Sequence, residues 1–346
     1  MDVIVDTRPS AAPRETLHPV TAEELKGRRQ VLILGQGEFA LTCQQVLMSE
    51  PRMAGRVIGF VHQSESEPTG HPVLGTFADL PVLVERYKVG LIVVCLDDRR
   101  ATLPVDLLLD LKVAGIEVID GHRLFEKMTG RLSIDSLRPS ALIFSPGFKR
   151  HAATMVVKRV VDITIASVSL LTMVPFLLIV AMLIKVDSPG PVFYRQKRVG
   201  FNSRPFMIIK FRSMVDGAEM AGPRWAQEND HRVSRVGRWL RKARIDEIPQ
   251  FINVLKGEMS VIGPRPERPI FVEELRTQIP YYDIRHTVRP GITGWAQVMF
   301  GYAASHEDSH LKFQYDLYYI KNQSFWLDLK TLVKTIGVLV RGEGAR

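Results

Sequence analysis

The sequence predicts two domains in tandem: an α/β domain built on a parallel sheet, then an α-rich domain attached to a membrane. Three observations predict this. Apolar strand-like runs alternate with helical patterns through the first 120 residues, the pattern of a parallel sheet covered on both faces. Between Asp162 and Lys185 lie 22 residues without a formal charge, above the roughly 18-residue threshold for a membrane candidate. The net charge of +9 is also uneven: residues 1–150 carry 18 Lys/Arg against 19 Asp/Glu, and residues 151–346 carry 28 against 18. A basic surface beside an apolar run favours anionic lipid and phosphate-bearing substrates. Nucleic acid is not expected, because no DNA- or RNA-binding motif accompanies the charge. Cys43 and Cys95 are too few for a disulfide framework and lack metal-ligand spacing, which suits a reducing cytosolic face.

In chain order, residues 1–28 are rich in proline and charge and read as a mobile leader with a short helix at 22–28; the first 20 residues lack a signal-peptide core. Val31–Leu34 reads as a strand, followed by Gly35-Gln36-Gly37-Glu38-Phe39-Ala40 and a helix to about Ser49. Strand, glycine turn and helix are the phosphate-binding opening of a Rossmann unit, here with alanine at the third glycine position. Further strands fit at Val57–Val61, Gly90–Cys95 and Gly115–Ile119, with helices at Phe77–Tyr87 and Pro104–Val113 between them. Residues 29–150 therefore read as a Rossmann-like domain of the kind that binds nucleotides or CoA. The second strand ends Val61-His62-Gln63, without the acid that holds a ribose hydroxyl. A regulatory or dimerisation module, with a homodimer as its product, is the expectation; a ligand site is the alternative. A helix end at Phe125–Thr129, a short strand at Leu142–Phe144 and a linker at Pro146–Arg150 put a boundary near 150.

As a helix, the apolar run would be roughly 33 Å long, enough to cross a ~30 Å hydrocarbon core. Pro175 lies at its middle, and both flanks are basic: Lys149, Arg150, Lys158 and Arg159 before, Lys185, Arg195, Lys197 and Arg198 after. A true span shows charge asymmetry. Symmetric flanks with a central proline suit a re-entrant hairpin over about 160–186, with two helical halves of ~11–12 residues. A buried core helix of a soluble domain is the alternative. Beyond it, Val192–Gln196 and Phe206–Met214 read as strands, the latter showing Lys210 and Arg212 on one face. Residues 229–245 carry six basic side chains from Arg232 to Arg244 around Trp239 and Leu240, an amphipathic helix for a membrane interface if not simply a solvated face.

Asp246-Glu247 reads in two ways. It can cap a helix N-terminus, or, beside Arg241 and Arg244, it can serve phosphoryl transfer, with one carboxylate as nucleophile and the other on Mg²⁺. Gly263-Pro264-Arg265-Pro266 is a rigid loop offering one arginine for bidentate phosphate contact. Arg285 and Arg289 follow on a glycine-punctuated turn, with His286 between them read as structural.

Residues 150–340 resemble the bacterial sugar transferases, the phosphoglycosyl transferases with one membrane segment that load polyprenyl phosphate. The matching stretches are Lys158-Arg-Val-Val-Asp162, Lys210-Phe-Arg-Ser-Met214, Arg244-Ile-Asp-Glu-Ile-Pro-Gln250, Asn253–Ser260, Gly263–Pro266, Val288–Val298 and Asp316–Asn322. The resemblance implies a monotopic catalytic domain at 151–346 that moves hexose 1-phosphate, glucose or galactose, from a UDP-sugar to undecaprenyl phosphate. UMP leaves, and a surface glycan such as an exopolysaccharide is begun. It implies Asp246 as nucleophile, Glu247 as Mg²⁺ ligand, and Lys210, Arg241, Arg265, Arg285 and Arg289 on substrate phosphates. Lys158, Arg159 and Asp162 at the hairpin mouth hold lipid headgroups or pair with one another, and Pro175 forms the bend. The site then faces the cytoplasm at the bacterial inner membrane. Large exopolysaccharide members carry a nucleotide-fold domain ahead of the catalytic one, but begin with a four-helix membrane bundle that this sequence lacks. Val174-Pro175 also departs from the Ser-Pro of small members. Competing readings are a membrane-attached, nucleotide-sensing scaffold without catalysis and a soluble nucleotide-sugar enzyme.

Overall fold

The computed structural model describes residues 30–341 apart from 36, 64–72, 97–102, 135–138, 150, 216, 219–229 and 301–305. The expected leader and its helix at 22–28 lie outside the described residues. The chain divides into two compact units, Met1–Ser145 and Pro146–Arg346.

The first unit is mixed α/β. Its elements are β1 (Gln30–Leu34), α1 (Glu38–Ser49), β2 (Val57–His62), β3 (Val73–Thr76), α2 (Leu80–Tyr87), β4 (Val89–Val94), α3 (Val105–Val113), β5 (Glu117–Asp120), α4 (Gly121–Thr129) and α5 (Pro139–Phe144). The five strands pair in parallel in the order β3-β2-β1-β4-β5. Strand alternation sends Val31, Ile33, Leu91 and Val93 to one face, against Phe39, Cys43 and Leu47 of α1 and Leu124 and Phe125 of α4. Leu32, Leu34, Ile92 and Val94 go to the other, against Leu80 and Leu83 of α2 and Leu108 and Leu111 of α3. Helices thus cover both faces. Leu142–Phe144, expected as a strand, is the end of α5; three apolar residues carry no period to separate the two. Gly35 has φ +109°, and a Cβ there would sit 2.5 Å from the Cys95 carbonyl oxygen. The close approach of the neighbouring chain accounts for this glycine whatever the turn binds.

The second unit contains α6 (Ala152–Asp187), β6 (Phe193–Val199), β7 (Pro205–Phe211), α7 (Arg235–Lys242), a 3₁₀ turn (Ile245–Glu247), α8 (Gln250–Lys256), β8 (Ser260–Ile262), α9 (Pro269–Gln278), a 3₁₀ turn (Tyr282–Thr287), β9 (Gly291–Thr293), α10 (Trp295–Phe300), α11 (His306–Lys321) and α12 (Phe325–Arg341). The strands β6 and β7 form an antiparallel pair; β8 and β9 pair in parallel.

The apolar run forms most of α6, a single helix with Pro175 inside it. The expected division into two short helices is therefore corrected. One interior proline costs a helix about 3 kcal/mol, which the remaining turns of a 36-residue helix outweigh. The helix is long and apolar enough to cross a membrane, and only 11% of its most apolar window is buried, unlike the core helix of a soluble domain. Four of its residues are buried, two on each side of Pro175. Asp162 and Ala166 are covered on one side of Pro175 and Val180 and Ile184 on the other, while Leu171, Val174 and Leu178 between them are exposed. Both buried pairs pack within the same unit: Asp162 bonds Ser260 and Val261, and Val180 and Ile184 meet Phe211 and Leu240.

Candidate active site

The site begins with a clamp. Asn253 on α8 accepts from the Ile209 amide at 3.0 Å and donates to the Met207 carbonyl at 2.8 Å. These two bonds fix α8 against β7 and bring Lys210 towards the turn that precedes α8. Arg244 adopts the left-handed conformation (φ +54°), uncommon outside glycine. It ends the path from α7 and starts the Ile245–Glu247 turn, so the last turn of α7, with Arg241, stays close to the acidic pair.

Asp246 and Glu247 are each only 8% exposed. Glu247 Oε1 accepts from Lys210 Nζ at 2.9 Å and from Arg265 Nη2 at 2.6 Å. Burial would push the Glu247 carboxyl up, but the Arg265 and Lys210 cations and the hydrogen bonds they donate outweigh it and hold it well below the usual range. Burial lowers Lys210, with Glu247 opposing. Asp246 differs: burial, then the charge of Glu247, raises it to about 6, against the pull of Lys210, Arg241 and Arg265. Its carboxylate makes no hydrogen bond or ion pair among the described residues. Adjacent carboxyls thus have opposite characters, one pinned and ionised, the other unpartnered and near its titration point.

The Arg265 loop is set by β8 and β9. The Gly263 amide donates to the Thr293 carbonyl at 2.9 Å, and the Gly291 amide to the Pro264 carbonyl at 2.9 Å. A Cβ at Gly263 would lie 2.4 Å from the Arg289 carbonyl oxygen, so only glycine permits this contact. Behind the loop, Arg285 donates to the Arg265 carbonyl at 2.9 Å and to Asp316 at 3.0 Å, and also bonds the Tyr282 hydroxyl.

Five of the expected residues thus assemble: Lys210, Arg241, Asp246, Glu247 and Arg265. Arg241 also donates to Ser213 Oγ at 3.1 Å. Arg285 is buried and bonded to the loop's backbone and to Asp316. Arg289 is exposed, donates to the Gly257 carbonyl and stacks over Phe201. Lys210 and Arg212 do not share a face: β7 ends at Phe211, strand alternation stops there, and Arg212 turns to Ser188. The partners of Lys158, Arg159 and Asp162 lie elsewhere than in one another: Asp328 for Lys158, the Val254 and Leu255 carbonyls for Arg159, and Ser260 and Val261 for Asp162. His286 hydrogen-bonds Asp283 at 3.2 Å, and burial and Arg285 lower it to about 4, so it is neutral at pH 7. Sequence reasoning missed Asn253 and Asp316 as organisers. A polar residue between Ile252 and Val254 in a short helix was the available signal for the first; nothing local marked the second as a partner of Arg285.

Comparison with known proteins adds a family. The model of the bacterial sugar transferases matches residues 153–342, and all the residues above fall inside that span. The chain belongs to the bacterial sugar transferase family. It is similar to a UDP-N-acetylgalactosamine-undecaprenyl-phosphate N-acetylgalactosaminephosphotransferase of Aeromonas hydrophila, 48% identical over 237 residues, covering 68% of this chain and 55% of that protein. It is also similar to an undecaprenyl-phosphate glucose phosphotransferase of Komagataeibacter xylinus, 33% identical over 315 residues, 89% of this chain and 58% of that one. A UDP-glucose:undecaprenyl-phosphate glucose-1-phosphate transferase of Escherichia coli is 33% identical over 323 residues, 89% and 67% of the two chains. The chain spans little more than half the length of the first two relatives.

Proposed function

We propose that the protein transfers a sugar 1-phosphate from a UDP-sugar to undecaprenyl phosphate, with Asp246 as nucleophile. The observation that carries this is the buried carboxylate of Asp246, without a hydrogen bond or ion pair among the described residues, beside a Glu247 pinned by Lys210 and Arg265. In the first step an Asp246 oxygen attacks the sugar-bearing phosphorus. The bond from that phosphorus to the UMP oxygen breaks, UMP leaves with the electron pair, and an aspartyl phosphosugar ester remains. In the second, an oxygen of the lipid phosphate attacks the same phosphorus, restoring the Asp246 carboxylate and leaving the sugar on a lipid diphosphate. Lys210, Arg241 and Arg265 offset the charge that builds on the transferring group. The donor set fits Mg²⁺: Glu247 keeps its second carboxylate oxygen and Asp246 both of its own without hydrogen bonds among the described residues, and Mg²⁺ binds through one or two carboxylates plus substrate phosphates. When bound, the ion would neutralise the diphosphate and acidify the leaving group.

A monotopic attachment with both ends of α6 on the cytoplasmic side agrees with the burial of both its halves in one unit. The parallel β3-β2-β1-β4-β5 order of the first unit is that of the doubly wound nucleotide-binding fold up to its fifth strand, which supports a Rossmann-like regulatory or dimerisation module. Its second strand ends in His62, without an acid for a ribose.

The relatives' names point to glucose and N-acetylgalactosamine as sugars. Incubating membranes containing the protein with radiolabelled UDP-glucose, UDP-galactose and UDP-N-acetylgalactosamine plus undecaprenyl phosphate tests the proposal. Label entering lipid with release of UMP is the expected result; no lipid labelling with any donor refutes it.

A further inference from the structure

Glu247 has a second environment besides its ion pairs. It lines a cavity of about 150 Å³ together with Ile248 and Phe251, Ile292 and Val298, and Val338 and Leu339 of α12. The two threonines in this wall, Thr293 and Thr335, bond each other through their hydroxyls at 2.8 Å. Those two hydroxyls are therefore paired. Gln297 also lines the wall, its amide oxygen buried and without a hydrogen bond among the described residues, and the rest of the uncharged lining is hydrocarbon. A cavity of this size with aliphatic and aromatic walls takes a benzene-sized guest, about the bulk of a single isoprene unit. Gln297 could accept from one hydroxyl, but a sugar would leave most of its others without uncharged partners there, at a cost of roughly 1–3 kcal/mol each. Charge is limited to Arg244 and Glu247, which suits an amphiphile with an ionic head.

The route in is apolar as well. Along α12, Trp326, Leu329, Val333, Ile336 and Val340 are all exposed, at spacings of three and four that place them on one helix face. Leu339 is 47% exposed and also lines the cavity, joining the two. Thr335 and Val338 point to the other side of α12 from this face, so a hydrocarbon chain on the face reaches the cavity, and through it the carboxylate, around the helix edge that Leu339 forms.

We propose that this cavity seats the phosphate-proximal isoprene of the acceptor lipid, bringing the lipid phosphate beside Asp246 and Glu247. The inference rests on the transferase reading above and adds where the acceptor binds. Val338→Phe fills the cavity from α12 and leaves Asp246 and Glu247 themselves unaltered. In nanodiscs, with undecaprenyl phosphate as acceptor and whichever UDP-sugar labels lipid as donor, its KM for the lipid should rise about tenfold or more. Its KM for the donor should stay within about twofold. An unchanged lipid KM, or a rise confined to the donor, overturns the proposal; the latter would mean that the nucleotide occupies the cavity. Because a larger side chain can disturb packing, the unmutated protein is also photolabelled with a diazirine-bearing prenyl phosphate. Crosslinks in peptides containing 248–251 or 335–339 are expected, and labelling confined to α6 overturns it. Photolabelling needs no turnover, so a protein that releases no UMP sinks the transferase reading while the crosslink still decides the binding site.

Discussion

Arg265 donates to the same Glu247 oxygen that Lys210 does, at 2.6 Å against 2.9 Å. Two cations on one oxygen fix the direction of the carboxylate and leave its other oxygen facing away from them. Arg265→Ala removes the shorter bond and leaves a buried, half-paired carboxylate. A fall in kcat/KM of about 10²–10³-fold is expected, with Arg265→Lys recovering only part because it offers a point charge in place of a fork. UMP release is the readout, and a change of less than threefold would rule the pin out of catalysis.

The pH dependence follows from Asp246, raised to about 6 by burial and the Glu247 charge. A nucleophile must be ionised, so UMP release in the first step should climb with pH through about 6 and level off above it. Glu247, held well below the usual range, stays ionised throughout. A profile flat from pH 5 to 8 would contradict the assignment.

The same shift predicts a stability effect of opposite sign to the activity effect. A carboxyl whose folded pKa lies above its unfolded value holds its proton more tightly when folded. The ionised form therefore destabilises the fold at neutral pH, and stability is regained as pH falls through 6 towards the unfolded value. Asp246→Asn should abolish UMP release yet stabilise the protein at pH 7.5 by roughly 1–3 kcal/mol. Thermal melting at pH 7.5 and pH 5 checks this: the gain in Tm should shrink at the lower pH.

Topology can be read by thiol labelling, because Cys43 and Cys95 are both buried. Lys149→Cys and Arg195→Cys mark exposed positions on either side of α6. Both should react from the cytoplasmic side of inside-out vesicles. Reaction from opposite sides would establish a span.

Asn253 should matter for stability more than for charge. Asn253→Leu leaves the Ile209 amide and Met207 carbonyl unpaired beneath α8, costing about 2–4 kcal/mol. It should also displace Lys210 from Glu247, so chemical denaturation and UMP release fall together.

Periodicity is local, and what it encodes was legible. The strands at 31–34, 57–61 and 90–95 stand within a residue or so of β1, β2 and β4, because each is a short continuous apolar run, as a strand buried on both faces must be. The boundary expected near 150 falls at 145/146. The adjacency of the two carboxyls of Asp246 and Glu247 was legible too, as was the apolar character of α6. The continuity of α6 through Pro175 was not, since one lost hydrogen bond is a local cost and the continuity of a helix depends on all its turns. Arg285 shows the deeper limit. The sequence presents it as one arginine among several, equally fit for a phosphate. Only folding sets it against Asp316, 31 residues on, and turns it to the back of the Arg265 loop. The amino-acid sequence determined which elements form and which carboxylates are available. The tertiary structure decided which cations reach them, because pairing across long loops is fixed by packing rather than by spacing, and that pairing sets Glu247 apart from Asp246.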